Sequence, residues 1–311
     1  MSIWKDAIMG VVTGDALGCP VQFEDRQSVA AHPVTGMRGG GTFNLPAGSW
    51  TDDSSLTLAL LESIRRTGGV DCADIMANFV KWLDEGTFTP FGYAYDIGRG
   101  TMKAIRKYKR EGKPLKAGCY DESSNGNGSL MRIMPAVLYG VEQALPDSEA
   151  IEIVHRVGGL THAHIRANIA CGLYAFMARA ILSRQGTLAE RMRAGLDRGF
   201  SFYEKYLADH ENLTCYDRLR GLEAFAALPD SAIRSSGYVV DTLEAAVWSL
   251  ANTDSFSTAL LKAVNLGDDT DTVGAVAGGL AGLYYGYQAI PEDWLAALQR
   301  RAWIESLLTG K

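Results

Sequence analysis

The sequence predicts an all-α fold, one compact domain over residues 1–311. Three observations carry this reading. Apolar residues recur at helical spacing nearly everywhere, period-2 alternation is scarce, and Gly or Pro clusters punctuate the apolar runs. Ile3, Trp4, Ala7, Ile8, Val11 and Val12 share one face of a first helix. Further helices are expected at roughly 54–66, 72–84, 98–110, 129–139, 148–157, 163–183, 188–206, 216–227, 239–251, 256–265, 271–285 and 293–308. Gly68-Gly69, Gly112 with Pro114, Gly158-Gly159, Pro229 and Pro291 separate them. The stretch 25–50, with Gly36 and Gly39-Gly40-Gly41, is long for a plain connector and reads as a functional loop.

The chain has 311 residues and 47% hydrophobic composition, enough for a large core. A net charge of −6 argues against a nucleic-acid surface, which normally shows a basic stripe. Cys19, Cys72, Cys119, Cys171 and Cys215 form no C-x-x-C pair, so free thiols in a reducing, cytoplasmic setting are expected. Residues Met1 to Asp6 lack the charged-then-apolar layout of a secretion signal. No apolar run reaches the length of about 18 residues that a membrane span needs.

Two acidic clusters carry the chemistry. Trp50-Thr51-Asp52-Asp53-Ser54 precedes the run Leu56 to Ile64, and Gly267-Asp268-Asp269-Thr270-Asp271-Thr272 precedes Val273 to Tyr285. Carboxylates with Thr or Ser hydroxyls are the donor set of a hard divalent cation, Mg²⁺ or Mn²⁺. Asp, Ser and Thr are equally favoured as helix N-caps, and first-turn acids suit the helix dipole. A cap needs one such residue, and each cluster holds more. If the fold unites them, the gathered negative charge calls for cations between.

Other motifs join these two. Gly14-Asp15-Ala16-Leu17-Gly18 ends the first helix, Asn125 to Arg132 reads as a glycine-rich turn opening another, and Thr161-His162 precedes the helix at 163. A turn that feeds a helix N-terminus offers free amides and suits phosphate. Equally, each motif taken alone is explained by capping or packing.

Together the segments Gly14 to Gly18, Trp50 to Asp53, Gly126-Asn127-Gly128-Ser129-x-Met131-Arg132 and Asp269 to Ala275 resemble the ADP-ribosylglycohydrolase family. The resemblance runs from about residue 5 to residue 286. It implies an orthogonal multi-helix fold with a binuclear Mg²⁺ or Mn²⁺ centre in a cleft. The metal ligands it implies are Thr51, Asp52, Asp53, Asp269, Asp271 and Thr272, with Asp268 just outside. Gly126, Asn127, Gly128, Ser129 and Met131 would line the ADP-ribose cleft with His162 nearby, and Gly14 to Gly18 would lead into a mobile loop over it. Many relatives carry Thr where Ser54 stands, and an acid where Gln22 stands. Glu24 is therefore the candidate loop carboxylate, with Asp25 behind it, and Asp52 and Asp53 complete the catalytic set. The implied reaction is hydrolysis of ADP-ribose from modified protein arginine. The alternatives are serine-linked or small-molecule ADP-ribose conjugates, or a protein that binds and neutralises an ADP-ribosylating partner.

Overall fold

The computed structural model describes residues 2–183, 185–208 and 210–309; the domain limits Met1 and Lys311 lie outside the described residues. The helices are α1 (Ile3–Gly18), α2 (Arg26–Ala31), α3 (Asp52–Thr67), α4 (Cys72–Glu85), α5 (Arg99–Glu111), α6 (Met134–Glu142), α7 (Asp147–Gly158) and α8 (Ile165–Ile181). They continue with α9 (Leu188–Tyr206), α10 (Glu211–Thr214), α11 (Leu222–Ala226), α12 (Val239–Ala251), α13 (Phe256–Val264), α14 (Thr270–Tyr285), α15 (Glu292–Ala297) and α16 (Arg301–Thr309). Among the described residues there is no β-strand, and the all-α expectation is met. No helix among them is long and apolar enough to cross a membrane.

Local chemistry sets most boundaries. Asp71 caps α4 by accepting from the amides of Ala73 and Asp74. Thr187 and Glu190 form a reciprocal capping box on α9. Gly68 ends α3 in the left-handed region, with φ 69°, where a side chain would be strained.

Three expectations need correction. The helix expected from Ser129 starts at Met134, with Pro135 in its first turn, and residues 128–132 form turns instead. The helix expected over 293–308 is broken between α15 and α16. There the Gln299 amide donates to the Gly48 carbonyl, Trp50 Nε1 donates to the Gln299 carbonyl at 2.9 Å, and Arg300 takes φ 56°. Pairing with the segment before the first acidic cluster outweighs helical continuity. The stretch 216–227 is a 3₁₀ turn, Asp217–Gly221, followed by the short α11.

α1 and α14 are buried on nearly every side, as their all-round apolar sequences require. They cross antiparallel on a glycine face. A Cβ on Gly14 would lie 1.9 Å from the Gly274 carbonyl oxygen, and one on Gly278 would lie 2.2 Å from that of Gly10. Gly14 and Gly18 therefore serve close helix contact rather than capping. The crossing sets the end of α1 against the start of α14, where Thr270 Oγ1 donates to the Gly18 carbonyl at 2.8 Å. Gly14→Ala should destabilise the protein by about 3 kcal/mol or more, because backbone cannot yield as a side chain does. A urea unfolding midpoint unchanged from wild type would contradict this.

Candidate active site

The α1–α14 crossing brings both acidic clusters to one place. Asp15, fully buried near the end of α1, accepts from the Thr51 amide at 3.0 Å, the Ser54 amide at 3.0 Å and the Ser54 hydroxyl at 2.5 Å. It thus fixes the first turn of α3, from which Asp52 and Asp53 project. Across the junction Asp271 and Thr272 project from the first turn of α14. Thr51 Oγ1 lies 3.3 Å from Asp53 Oδ2 and 3.4 Å from Asp271 Oδ2, and Thr272 Oγ1 lies 3.5 Å from Asp53 Oδ2. Two helix N-termini therefore meet through the very residues expected as ligands.

Capping does not account for these acids. The N-cap of α3 is the Thr51 hydroxyl, and Asp269, at the N-cap of α14, makes no side-chain cap bond. Instead Asp269 Oδ2 accepts from Asn127 Nδ2 at 2.6 Å. Among the described residues, Asp53 Oδ1 and Asp271 Oδ1 are buried with no hydrogen-bond partner. Such orphaned oxygens are costly unless something else satisfies them.

The electrostatics agree. Burial first, then neighbouring carboxylates, push Asp52, Asp53 and Asp271 well above the usual carboxylate range. Burial raises Asp96 and Asp269 as well, against hydrogen bonds that pull them down. Burial likewise lifts Asp15 to about 7 despite its bonds to Thr51 and Ser54.

These groups form one end of a cleft of about 650 Å³. Asp52, Asp53, Asp269, Asp271 and Thr272 line it, as do Gly126, Asn127, Gly128, Met131 and His162. Ser129 does not: it is fully buried, and Cys171 Sγ lies 3.6 Å from its hydroxyl. The Asn127 amide is committed to the Gly237 carbonyl at 3.1 Å, so that N–H is not free for a ligand.

His162 is held from behind. Its Nδ1 lies 2.8 Å from Thr161 Oγ1, which also accepts from the buried Arg132 at 2.8 Å. Burial, then the Arg132 charge, lower His162 to about 3, so its imidazole is neutral near pH 7. Glycines make room for the ring: a Cβ on Gly128 would lie 2.7 Å from His162 Cε1, and one on Gly100 would lie 2.7 Å from Nε2. Gly128→Val should therefore weaken ADP-ribose binding about tenfold or more by displacing His162 and narrowing the cleft. Calorimetric titration of a folded variant checks it, and unchanged affinity would place the ligand elsewhere.

The loop carboxylates are placed differently from expectation. Glu24 is half-buried and is not among the residues lining the cleft; its carbonyl accepts from the Asp268 amide at 2.7 Å. Asp25 caps α2 by accepting from the Ser28 amide at 2.8 Å. Asp268 is exposed and joins this backbone pairing through its own carbonyl, which accepts from the Phe23 amide at 2.7 Å.

Outside the two clusters, the acid that lines the cleft is Asp96, which the motifs missed. It takes φ 53°, and burial holds its carboxyl above the usual carboxylate range. Next to it, the Tyr95 hydroxyl donates to the Trp50 carbonyl and ties this loop to the acidic turn. Nothing around Asp96 in sequence marks it. Asp15 was legible in principle, as an acid inside a stretch buried on all sides.

Comparison with known proteins places this geometry. Residues 4–310 match the ADP-ribosylglycohydrolase family model. An ADP-ribosylarginine hydrolase, Tri1, of Serratia proteamaculans is 32% identical, covering 97% of this chain and 77% of its own. An ADP-ribosyl-[dinitrogen reductase] glycohydrolase of Rhodospirillum rubrum is 31% identical, covering 95% of this chain and 90% of its own. A solved ADP-ribosylglycohydrolase-related protein complex contains a chain that superposes with a TM-score of 0.78 at 34% identity, covering 99% of this chain and 96% of that one. Match over nearly the full length, on a fold that unites the two acidic clusters, makes this chain a member of the ADP-ribosylglycohydrolase family.

Proposed function

We propose that this chain is a metal-dependent hydrolase that releases ADP-ribose from arginine side chains of modified proteins. The observation that carries the reading is the meeting of two carboxylate-bearing helix N-termini at the end of a cleft, with orphaned acid oxygens.

The residues present fit a pair of divalent cations. All donors are hard oxygens, and Thr51, Asp52, Asp53, Asp269, Asp271 and Thr272 would hold the ions. Among the described residues, no three His, Cys, Asp or Glu side chains close around a single point. The Thr51 and Thr272 hydroxyls would add to the carboxylate donors there. When bound, the cations supply positive charge that offsets the clustered carboxylates and polarises ribose hydroxyls and water.

The chain's own residues supply the rest. Neutral His162 and the turn through Gly126 to Gly128 orient the ADP-ribose, with Met131 on the cleft wall. Asp96 faces the acid cluster from its loop and is the group best placed to take a proton from the attacking water. Asp52 and Asp53 supply negative charge near the sugar as it becomes oxocarbenium-like. The water oxygen bonds to the anomeric carbon as the carbon–nitrogen bond breaks. That electron pair leaves on the guanidine nitrogen, and the proton taken from water returns to that nitrogen or passes to solvent. A cationic guanidinium suits a carboxylate-lined cleft better than a neutral serine ether does. The five free thiols suit a reducing, cytoplasmic setting.

Rates on arginine- and serine-linked ADP-ribosyl peptides, compared in Mg²⁺, Mn²⁺ and EDTA, test this. The arginine linkage should be cleaved at least about tenfold faster. Faster serine cleavage would overturn the arginine assignment, and full activity in EDTA would overturn the metal requirement.

A further inference from the structure

We propose that the outer face of α5 is a docking track for an acidic segment of the modified protein; this rests on the function proposed above. Residues 99–116 hold eight Lys or Arg and one acid, in a chain whose net charge is −6. Thr101, Ala104 and Ile105 bury the inner face of α5. Arg99, Lys103, Arg106 and Arg110 recur at steps of four, three and four residues, which places them in one stripe. At 1.5 Å per residue that stripe is about 16 Å long.

The stripe borders a groove of about 540 Å³, lined also by Ile97, Met102 and Lys107. Ile97, Arg99 and Lys103 line both this groove and the acid-bearing cleft, so the two are continuous. Little on the protein neutralises the track. Lys103 has a 3.4 Å contact to exposed Asp121, Arg110 pairs with its neighbour Glu111 at 2.8 Å, and the Arg99 and Arg106 side chains form no ion pair or hydrogen bond among the described residues.

The position selects the occupant. A chain whose modified arginine sits at the cleft end must leave over its rim, and α5 forms part of that rim. Carboxylates on that chain would meet unpaired guanidinium and ammonium groups beside apolar Ile97 and Met102. A nucleic acid is disfavoured, because a long polyanion would extend past the track onto a surface whose balance is negative. The arrangement also sorts charges. The cleft end takes the cationic arginine, and the track takes anions around it.

The test uses synthetic peptides carrying ADP-ribosyl-arginine between Glu-rich, Gly/Ser or Lys-rich flanks, with free ADP-ribosyl-arginine as the small substrate. Wild type should show kcat/KM about tenfold higher for Glu-rich than for Lys-rich flanks at low salt, and the preference should collapse in 0.5 M NaCl. R106E/K107E/R110E should reverse the preference and leave the small substrate and the melting temperature unchanged. A neutral R106Q/K107Q/R110Q variant should abolish the preference and serves if the reversal fails to fold. Equal rates on all flanks, or an equal loss on the small substrate, would overturn the track. So would tight binding of single-stranded RNA without discrimination among peptides. Failure of wild type to cleave free ADP-ribosyl-arginine would overturn the proposed function instead.

Discussion

Asp53→Asn and Asp271→Asn should each reduce hydrolysis by about a thousandfold or more, while the fold persists. Each substitution removes a carboxylate from the point where α3 and α14 meet. A neutral amide is a poor donor to a hard divalent cation, and a thousandfold loss corresponds to about 4 kcal/mol of transition-state stabilisation. The structural effect runs the other way. Both acids are buried, each holds an oxygen without a partner, and each suffers the field of the other carboxylates. Removing one such charge relieves repulsion in the metal-free protein. Melting in EDTA should therefore be equal to or above that of wild type. Wild type should be stabilised by Mg²⁺ or Mn²⁺, by about 2.7 kcal/mol at a hundred times the dissociation constant, and should melt higher. The variants should gain far less. Near-normal turnover, or an undiminished thermal response to metal, would contradict the assignment.

Metal withdrawal should have the second large effect, visible as an unusual pH dependence of stability. Asp15, Asp52, Asp53, Asp96, Asp269 and Asp271 all hold their protons more tightly in the folded chain than in the unfolded one. Above the ordinary carboxylate range the folded state then binds more protons than the unfolded state. Its stability must fall as pH rises through that window, which for Asp15 extends to about 7. Chelated protein should thus be more stable at pH 5.5 than at pH 8. Divalent cations compete with these protons, so saturating Mg²⁺ or Mn²⁺ should flatten the slope. Melting curves across pH, with and without EDTA, measure both. A chelated protein that gains stability from pH 5.5 to 8 would show that the carboxylates are not held together as described.

Much of this was legible in sequence because it rests on local rules. Helical periodicity located most elements, and the excess of acid over capping need marked Asp52, Asp53, Asp269 and Asp271. The misses at the site depend on distant partners. The apolar pattern continues through Leu298 to Arg300, and only pairing with Gly48 and Trp50 breaks the helix there. Ser129 sits in a motif with cleft residues, yet its hydroxyl turns toward Cys171. Glu24 had the right residue type near the right motif, but Asp96 lines the cleft because Tyr95 anchors its loop on the Trp50 carbonyl. A single acid on an irregular loop has no periodicity to betray it.

The glycine crossing of α1 and α14 has an evolutionary consequence. Distances between catalytic groups usually depend on side chains that repack as a sequence drifts. Here the separation of the two acid-bearing turns is set by peptide groups in direct apposition at Gly10, Gly14, Gly274 and Gly278. Only the fully buried Asp15 side chain intervenes, tying α1 to the first turn of α3. The walls of the cleft are instead loops, around Phe23, Asp96, Ser124 and Gly237, that can be exchanged piecemeal. Such an architecture lets the cleft loops change while the spacing of the two acid clusters stays fixed.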